Sequence, residues 1–185
     1  MAPSVRAAII RDLLEAVAHQ APTVHDDARA ALPSLDAPWI PIAECVAFYD
    51  LLQARVGRDQ VMALYREALV SSQDGALLGS LWNAAALLLG KRPERYLSWF
   101  PKIYAILMRD LGTASFESRG DASCLRVHGV PALARHSVGW RESLRCPGTA
   151  IGEWLGFEVT SETTVADDAV SVVFRWQGTR PAERS

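Results

Sequence analysis

The chain has 185 residues, half of them hydrophobic, with 19 basic and 21 acidic residues and a formal net charge of −2. That size suits one domain-scale core without metal or disulfide staples, and the even charge balance, with no basic stripe, excludes a dedicated nucleic-acid binder. Three cysteines, Cys45, Cys124 and Cys146, are too scattered for a disulfide framework and fit a reducing, cytoplasmic compartment.

Near the N-terminus Arg6, Arg11, Asp12 and Glu15 interrupt any apolar run of a signal peptide. Val5, Ile9, Leu13 and Val17 recur at four-residue spacing and predict a helix capped by Ser4 and reaching about His19. Residues 24–32 give a weaker signal. The next stretch, 31–41, holds three prolines. It predicts an ordered loop, because Trp39 and Ile40 are costly to leave in water. Pro41 suits the first turn of a helix to Val56, stopped by Gly57, with Ile42, Cys45, Val46, Tyr49 and Leu52 as its apolar stripe. A further helix over 59–70 turns Val61, Leu64, Tyr65, Ala68 and Leu69 inward. Residues 75–90 carry no charge. They fall short of the roughly 20 residues of a membrane span, so the pattern predicts a helix buried on most sides. Residues 94–111 read as a helix with Leu97, Phe100, Tyr104 and Leu107 on one face, broken or kinked at Pro101 and ended by Gly112.

From Thr113 the period changes to two. Residues 113–119 and 123–130 flank Gly120 and Asp121 as one hairpin, and 157–164 and 169–176 flank 166–168 as a second. Between them a helix spans 147–155, with Pro147 first and Gly156 just beyond its end. Residues 131–146 are ambiguous, with 138–144 compatible with helix. A polar tail begins at Gln177. The expected fold class is α+β, a single domain over 1–176. Its helical part covers 1–112, and a ββαββ unit over 113–176 forms a four-stranded antiparallel sheet.

Several stretches carry a resemblance: WIP at 39–41 before a long helix, RVGRDQ at 55–60, RYLSWFPKIYAILMRDLG at 95–112 and FRW at 174–176. On these, residues 39–176 resemble an uncharacterised myxobacterial family. It looks distantly related to haem–nitric-oxide-binding domains and to vinyl-reductase-type hydrocarbon-binding domains, which share a fold with vesicle-tethering TRAPP subunits. The resemblance implies a helical layer followed by ββαββ. Haem-binding relatives place an axial histidine on the helix before the sheet and grip the propionates with Tyr-x-Ser-x-Arg. Here that helix reads SWFPKIYAILMRD, without histidine, and the histidine position falls near Ile103 or Tyr104. The sheet segment at 125–132, LRVHGVPA, lacks the tyrosine–serine–arginine pattern. The hydrocarbon-binding relatives carry cysteines around the last hairpin. Here 162–174 has none, and only Cys146 matches an earlier cysteine of that pattern.

Four residues stand out as ligand or partner candidates. Tyr104 is the one side chain that could replace the axial histidine, against a core role on an apolar stripe. Cys146 falls at the start of the 147–155 helix beside Arg145, where helix dipole and cation favour a thiolate. The alternative is a small buried hydrophobe. Gly152 works against its own helix by about 1 kcal/mol, for close packing on the sheet or for room at a ligand or partner. Trp140 is the tryptophan expected at a cavity or partner, while Trp82, Trp99 and Trp154 sit on helical patterns as core. Cys124 and His128 share a strand face but stand about 13 Å apart, too far for one metal. No catalytic constellation and no metal site is expected.

The function expected is a non-enzymatic regulatory or interaction domain that has lost the known haem ligands and takes no cofactor. It would bind an apolar small molecule, a protein partner or a second copy of itself. The alternatives are a haem- or other cofactor-dependent gas or redox sensor using Tyr104, and an enzyme using Cys146.

Overall fold

A computed structural model describes residues 2–74, 90, 92–120 and 122–179, without the side chains of 69–74. The expected buried helix at 75–90, with Trp82, lies outside the described residues apart from Gly90. The chain opens with strand β1 (Ser4–Arg6), then helices α1 (Ala7–Gln20) and α2 (Pro22–Ala30), strand β2 (Trp39–Pro41) and helix α3 (Ile42–Asp74). Helices α4 (Pro93–Leu97) and α5 (Phe100–Leu107) follow, then strands β3 (Met108–Arg109), β4 (Thr113–Arg119) and β5 (Ala122–His128). Helices α6 (Ala132–His136) and α7 (Val138–Trp154) lead to strands β6 (Phe157–Val165) and β7 (Ala169–Thr179).

The fold is α+β, with helices over most of the N-terminal part and a four-stranded antiparallel sheet in the order β4-β5-β7-β6. Both hairpins and the helical link between them stand where the change of period put them. The two central strands carry the buried row Leu125, Val127, Val170, Val172 and Phe174. Alternate residues of a strand share a face, and this row joins the helical core in one apolar cluster.

Several boundaries differ from the sequence expectation. Ser4 caps no helix. It sits in β1, which pairs with both β2 and β3 in a small second sheet, Val5 opposite Ile40 and Met108. Trp39 and Ile40 therefore lie in a strand, and Pro41 ends it ahead of α3. Pro101 does divide 94–111, standing in the first turn of α5, where its missing N–H costs nothing. The helix stops at Leu107, because Met108 and Arg109 are drawn into pairing with β1. Strand β7 runs on to Thr179, so Gln177 is sheet, opposite Glu158, and not tail.

Helix α3 is interrupted at Gly57, whose φ of 78° and ψ of 172° break the helical path without a Cβ penalty. The two halves of α3 thus meet at an angle, and α7 crosses them. The expected helix at 147–155 is the second half of α7, which begins nine residues earlier at Val138. Ser137 caps it, its Oγ accepting from the Trp140 N–H at 2.9 Å. Pro147 lies inside the helix. An interior proline costs about 3 kcal/mol, which burial of Trp140, Leu144, Cys146, Ala150 and Ile151 on the same helix offsets.

Helix α7 starts against the α3 backbone. The Asp50 carboxylate accepts from Ser137 Oγ at 2.8 Å and from the Gly139 N–H at 2.9 Å. A Cβ at Gly139 would stand 2.4 Å from the Tyr49 carbonyl carbon and oxygen. Gly139→Ala should therefore destabilise the fold by about 1–3 kcal/mol or more, read as a lower urea midpoint at unchanged slope. A midpoint within error of the parent would show that α7 can stand off from α3.

Candidate functional site

The residues singled out in the sequence do not converge on one pocket. Tyr104 lies on α5 and is buried. Its hydroxyl donates to the Leu111 carbonyl oxygen at 2.8 Å, and its ring packs on Phe100 at 5.9 Å between centroids. Burial pushes its phenol well above the ordinary tyrosine range. It is thus a protonated donor that closes the α5–β4 turn, where Asp110 adopts a positive φ of 53°.

Cys146, expected at a helix start, sits in the middle of α7, far from the N-terminal dipole. It is 1% exposed, and burial raises its thiol despite Arg145, Arg58 and Arg66, which favour the thiolate. Glu142 opposes them and is held by Arg145 at 2.7 Å and Arg58 at 3.3 Å. The thiol faces the Met62 thioether, Sγ to Sδ 2.9 Å. The helix-start correction follows from Ser137, whose hydroxyl caps the chain earlier than Pro147 could.

Trp140 is 0% exposed, so it offers no surface to a partner. Its indole Nε1 is buried without a hydrogen-bond partner. The tryptophans assigned to the core behave otherwise: Trp99 is 36% and Trp154 49% exposed, Trp154 lying edge-on to Tyr96. Gly152 faces the sheet. A Cβ there would meet Val159 Cγ2 at 2.3 Å and Trp176 Cδ1 and Nε1 at 2.8 Å. One turn earlier, a Cβ at Gly148 would enter the Phe174 ring. Phe174 and Trp176 stack with 13° between their planes, and the two glycines let α7 lie flat on that pair. Among the described residues no cluster of three or more histidine, cysteine or carboxylate side chains could hold a metal, and no helix is long and apolar enough to cross a membrane.

What the sequence did not single out is a polar seam where α7 crosses the bend of α3. Tyr49 and Tyr65, one on each half of α3, stack at 6.2 Å. Burial raises both phenols. The Tyr65 hydroxyl is buried close to the side chains of Tyr49 and Ser143, while Ser143 Oγ donates to the Trp140 carbonyl at 2.6 Å. The signal in sequence was Met62 and Tyr65 three apart, hence on one helix face. It became legible only once the Gly57 bend brought that face to α7.

Two substitutions report on these placements. Tyr104→Phe should cost about 1–3 kcal/mol, because it strands the Leu111 carbonyl in the interior. Gly152→Ala should lower the melting temperature through about 1–3 kcal/mol of overpacking against Trp176. Thermal melts equal to the parent would refute either placement.

No protein-family profile and no curated protein sequence matches the chain. Solved structures do. The Fe(II) unliganded H-NOX protein from K. algicida is 13% identical, with 94% of this chain and 97% of that chain covered at a TM-score of 0.63. The H-NOX domain from Shewanella oneidensis, solved in its Fe(II)CO state, is 9% identical over 93% and 98% of the two chains, at 0.59. An oxygen-binding H-NOX domain related to soluble guanylate cyclases is 13% identical over 97% and 99%, at 0.52. Nearly the whole length of each chain is matched while identity stays this low, so the likeness is one of architecture: this chain has the H-NOX fold, that of the haem–nitric-oxide-binding domains.

Proposed function

We propose that the chain is a non-enzymatic regulatory domain that uses the H-NOX fold without haem and responds to an apolar small molecule or a protein partner. One observation carries the haem-free reading: the Tyr104 hydroxyl, on the helix where a histidine would ligate iron, is spent on the Leu111 carbonyl. The other donors agree. The four histidines of the sequence are His19, His25, His128 and His136. His19, His128 and His136 are exposed and His25 is half-buried on the short helix α2. Residues 75–91 contain no histidine, cysteine, methionine or tyrosine, so that segment brings no haem ligand of the usual kinds. The buried phenols and thiols of Tyr49, Tyr65, Cys45 and Cys146 are all pushed upward by burial, Cys45 to about 12, whereas tyrosine and cysteine ligate haem iron as anions. For propionates, Arg126 on β5 donates instead to Ser171 Oγ at 2.9 Å, and Arg145 is held by Glu142. The residues present do not fit haem.

The absence of a catalytic role for Cys146 rests on its burial, since a nucleophilic thiol needs both thiolate character and access. For a partner, the surface that favours contact holds Trp99 and Trp154, not Trp140. The purified chain should show no band in the haem region at stoichiometric strength, and haemin titration should show no saturable one-to-one binding. A tight stoichiometric complex that weakens in Tyr104→Phe would overturn the haem-free reading. Native mass measurement then reads the rest, since a bound small molecule or a second subunit each adds a defined mass.

A further inference from the structure

We propose that β6 is the contact edge of a homodimer, in which two copies of the chain join their four-stranded sheets into one of eight strands. In the order β4-β5-β7-β6 the sheet ends on β4 and on β6. Helix α5 packs against β4. Among the described residues β6, nine residues from Phe157 to Val165, pairs only with β7. Its other side therefore presents alternate N–H and C=O groups that a further strand can bond. Helix α7 meets the inner face of β6, Gly152 standing against the Val159 side chain, so its contact is with the face and not with the edge. Edge strands that stay single are blunted by proline, lysine, a bulge or short length. Strand β6 carries no proline or lysine. The register shift beside Phe157 skips Gly178 of β7 and leaves β6 itself regular. Its two charges, Glu158 and Glu162, are exposed on the outer face.

The spacing of those two glutamates points to a second copy of the chain as the occupant. Antiparallel pairing about a twofold axis at Ser161 sets Phe157 opposite Val165 of the second copy, Glu158 opposite Thr164, Val159 opposite Thr163 and Thr160 opposite Glu162. Every residue of the strand then has a partner, and each glutamate meets a threonine. Val165, 41% exposed in the single chain, gains an aromatic neighbour, a favourable cross-strand pair. Centring the axis on Thr160 would set Glu158 against Glu162, and centring it on Glu162 would set that side chain against its own copy. Like charges directly opposite are destabilising, so charge selects the register that pairs the whole strand. That register keeps both inner faces, and both copies of α7, on one side of a continuous sheet. The contact is isologous and closes at two copies. A strand pair of this length is smaller than a standard interface, so the dimer is weak and depends on concentration. It rests on the strand edge and stands whether or not the chain takes up haem or a small molecule.

The test is sedimentation velocity of the full chain from about 10 μM to about 1 mM, a range that spans weak association. The expected result is a monomer–dimer equilibrium, with amide hydrogen exchange in Phe157–Val165 slowing as the dimer forms. Thr160 is exposed, so substitutions there leave the fold intact, as circular dichroism and melting will check. Thr160→Lys faces Glu162 of the second copy at two symmetry-related places and should tighten the dimer by about two- to thirtyfold. Thr160→Glu should weaken it by a similar factor, and adding Glu162→Lys to Thr160→Glu should restore it. Parent and Thr160→Lys that both stay monomeric throughout would overturn the homodimer and leave the edge to an extended segment of another protein. A dimer whose affinity ignores all three variants, or whose slowed exchange falls outside β6, would overturn this interface.

Discussion

The placement of the candidate residues on α7, Trp140, Cys146 and Gly152, depends on one backbone contact, that of Gly139 against Tyr49 and Asp50. Two helices with side chains between them keep axes 8–10 Å apart. Here a side chain is absent at the crossing, and a Cβ would sit 2.4 Å from a carbonyl of α3. The Asp50 carboxylate fastens the contact by accepting hydrogen bonds from the Ser137 hydroxyl and the Gly139 N–H. This fixes where α7 begins and along which line it runs. From that line follow the enclosure of Trp140, the meeting of Cys146 with Met62, and the arrival of Gly148 and Gly152 over Phe174 and Trp176. Helix α7 is held between α3 on one side and the sheet on the other. An interior proline is tolerable in a helix gripped this way, since packing and not hydrogen bonding holds its middle.

The sheet was legible in the sequence because its evidence is local. Period-two alternation from Thr113 and a glycine turn at Gly120, with φ of 60°, each specify structure within a few residues. The small sheet was not legible. Its strands are two or three residues long and gain their meaning from partners more than thirty residues away, Val5 with Ile40 and Met108. Met108 and Arg109 continue a helical pattern by composition, yet pairing with β1 claims them. Pro147 misled for a related reason. Proline at the first turn of a helix is common, but the serine cap ten residues earlier is the stronger start, and tertiary packing overrode the local breaker.

The candidate site was legible as residue types and not as environments. Tyr104 was found as the side chain in the place of a histidine, and its role turned on a carbonyl seven residues on, which no spacing rule announces. Cys146 was picked as the best thiol for a reason, the helix dipole, that vanished when the helix proved longer. Trp140 and Trp154 exchanged places relative to expectation. Helical periodicity says which residues share a face, but not which neighbour covers that face.

The chain has an architecture found in haem proteins, and its own donors serve other partners. A phenol on the helix before the sheet serves a backbone carbonyl, an arginine on β5 serves a serine of β7, and the histidines stand at or near the surface. None of these contacts interrupts the apolar cluster that joins helices to sheet. That is physically reasonable, because burial of side chains such as Phe48, Leu52, Val127 and Phe174 depends on apolar area and shape, and not on the few polar groups that would grip a cofactor. A fold of this kind can lose one ligand chemistry without losing stability.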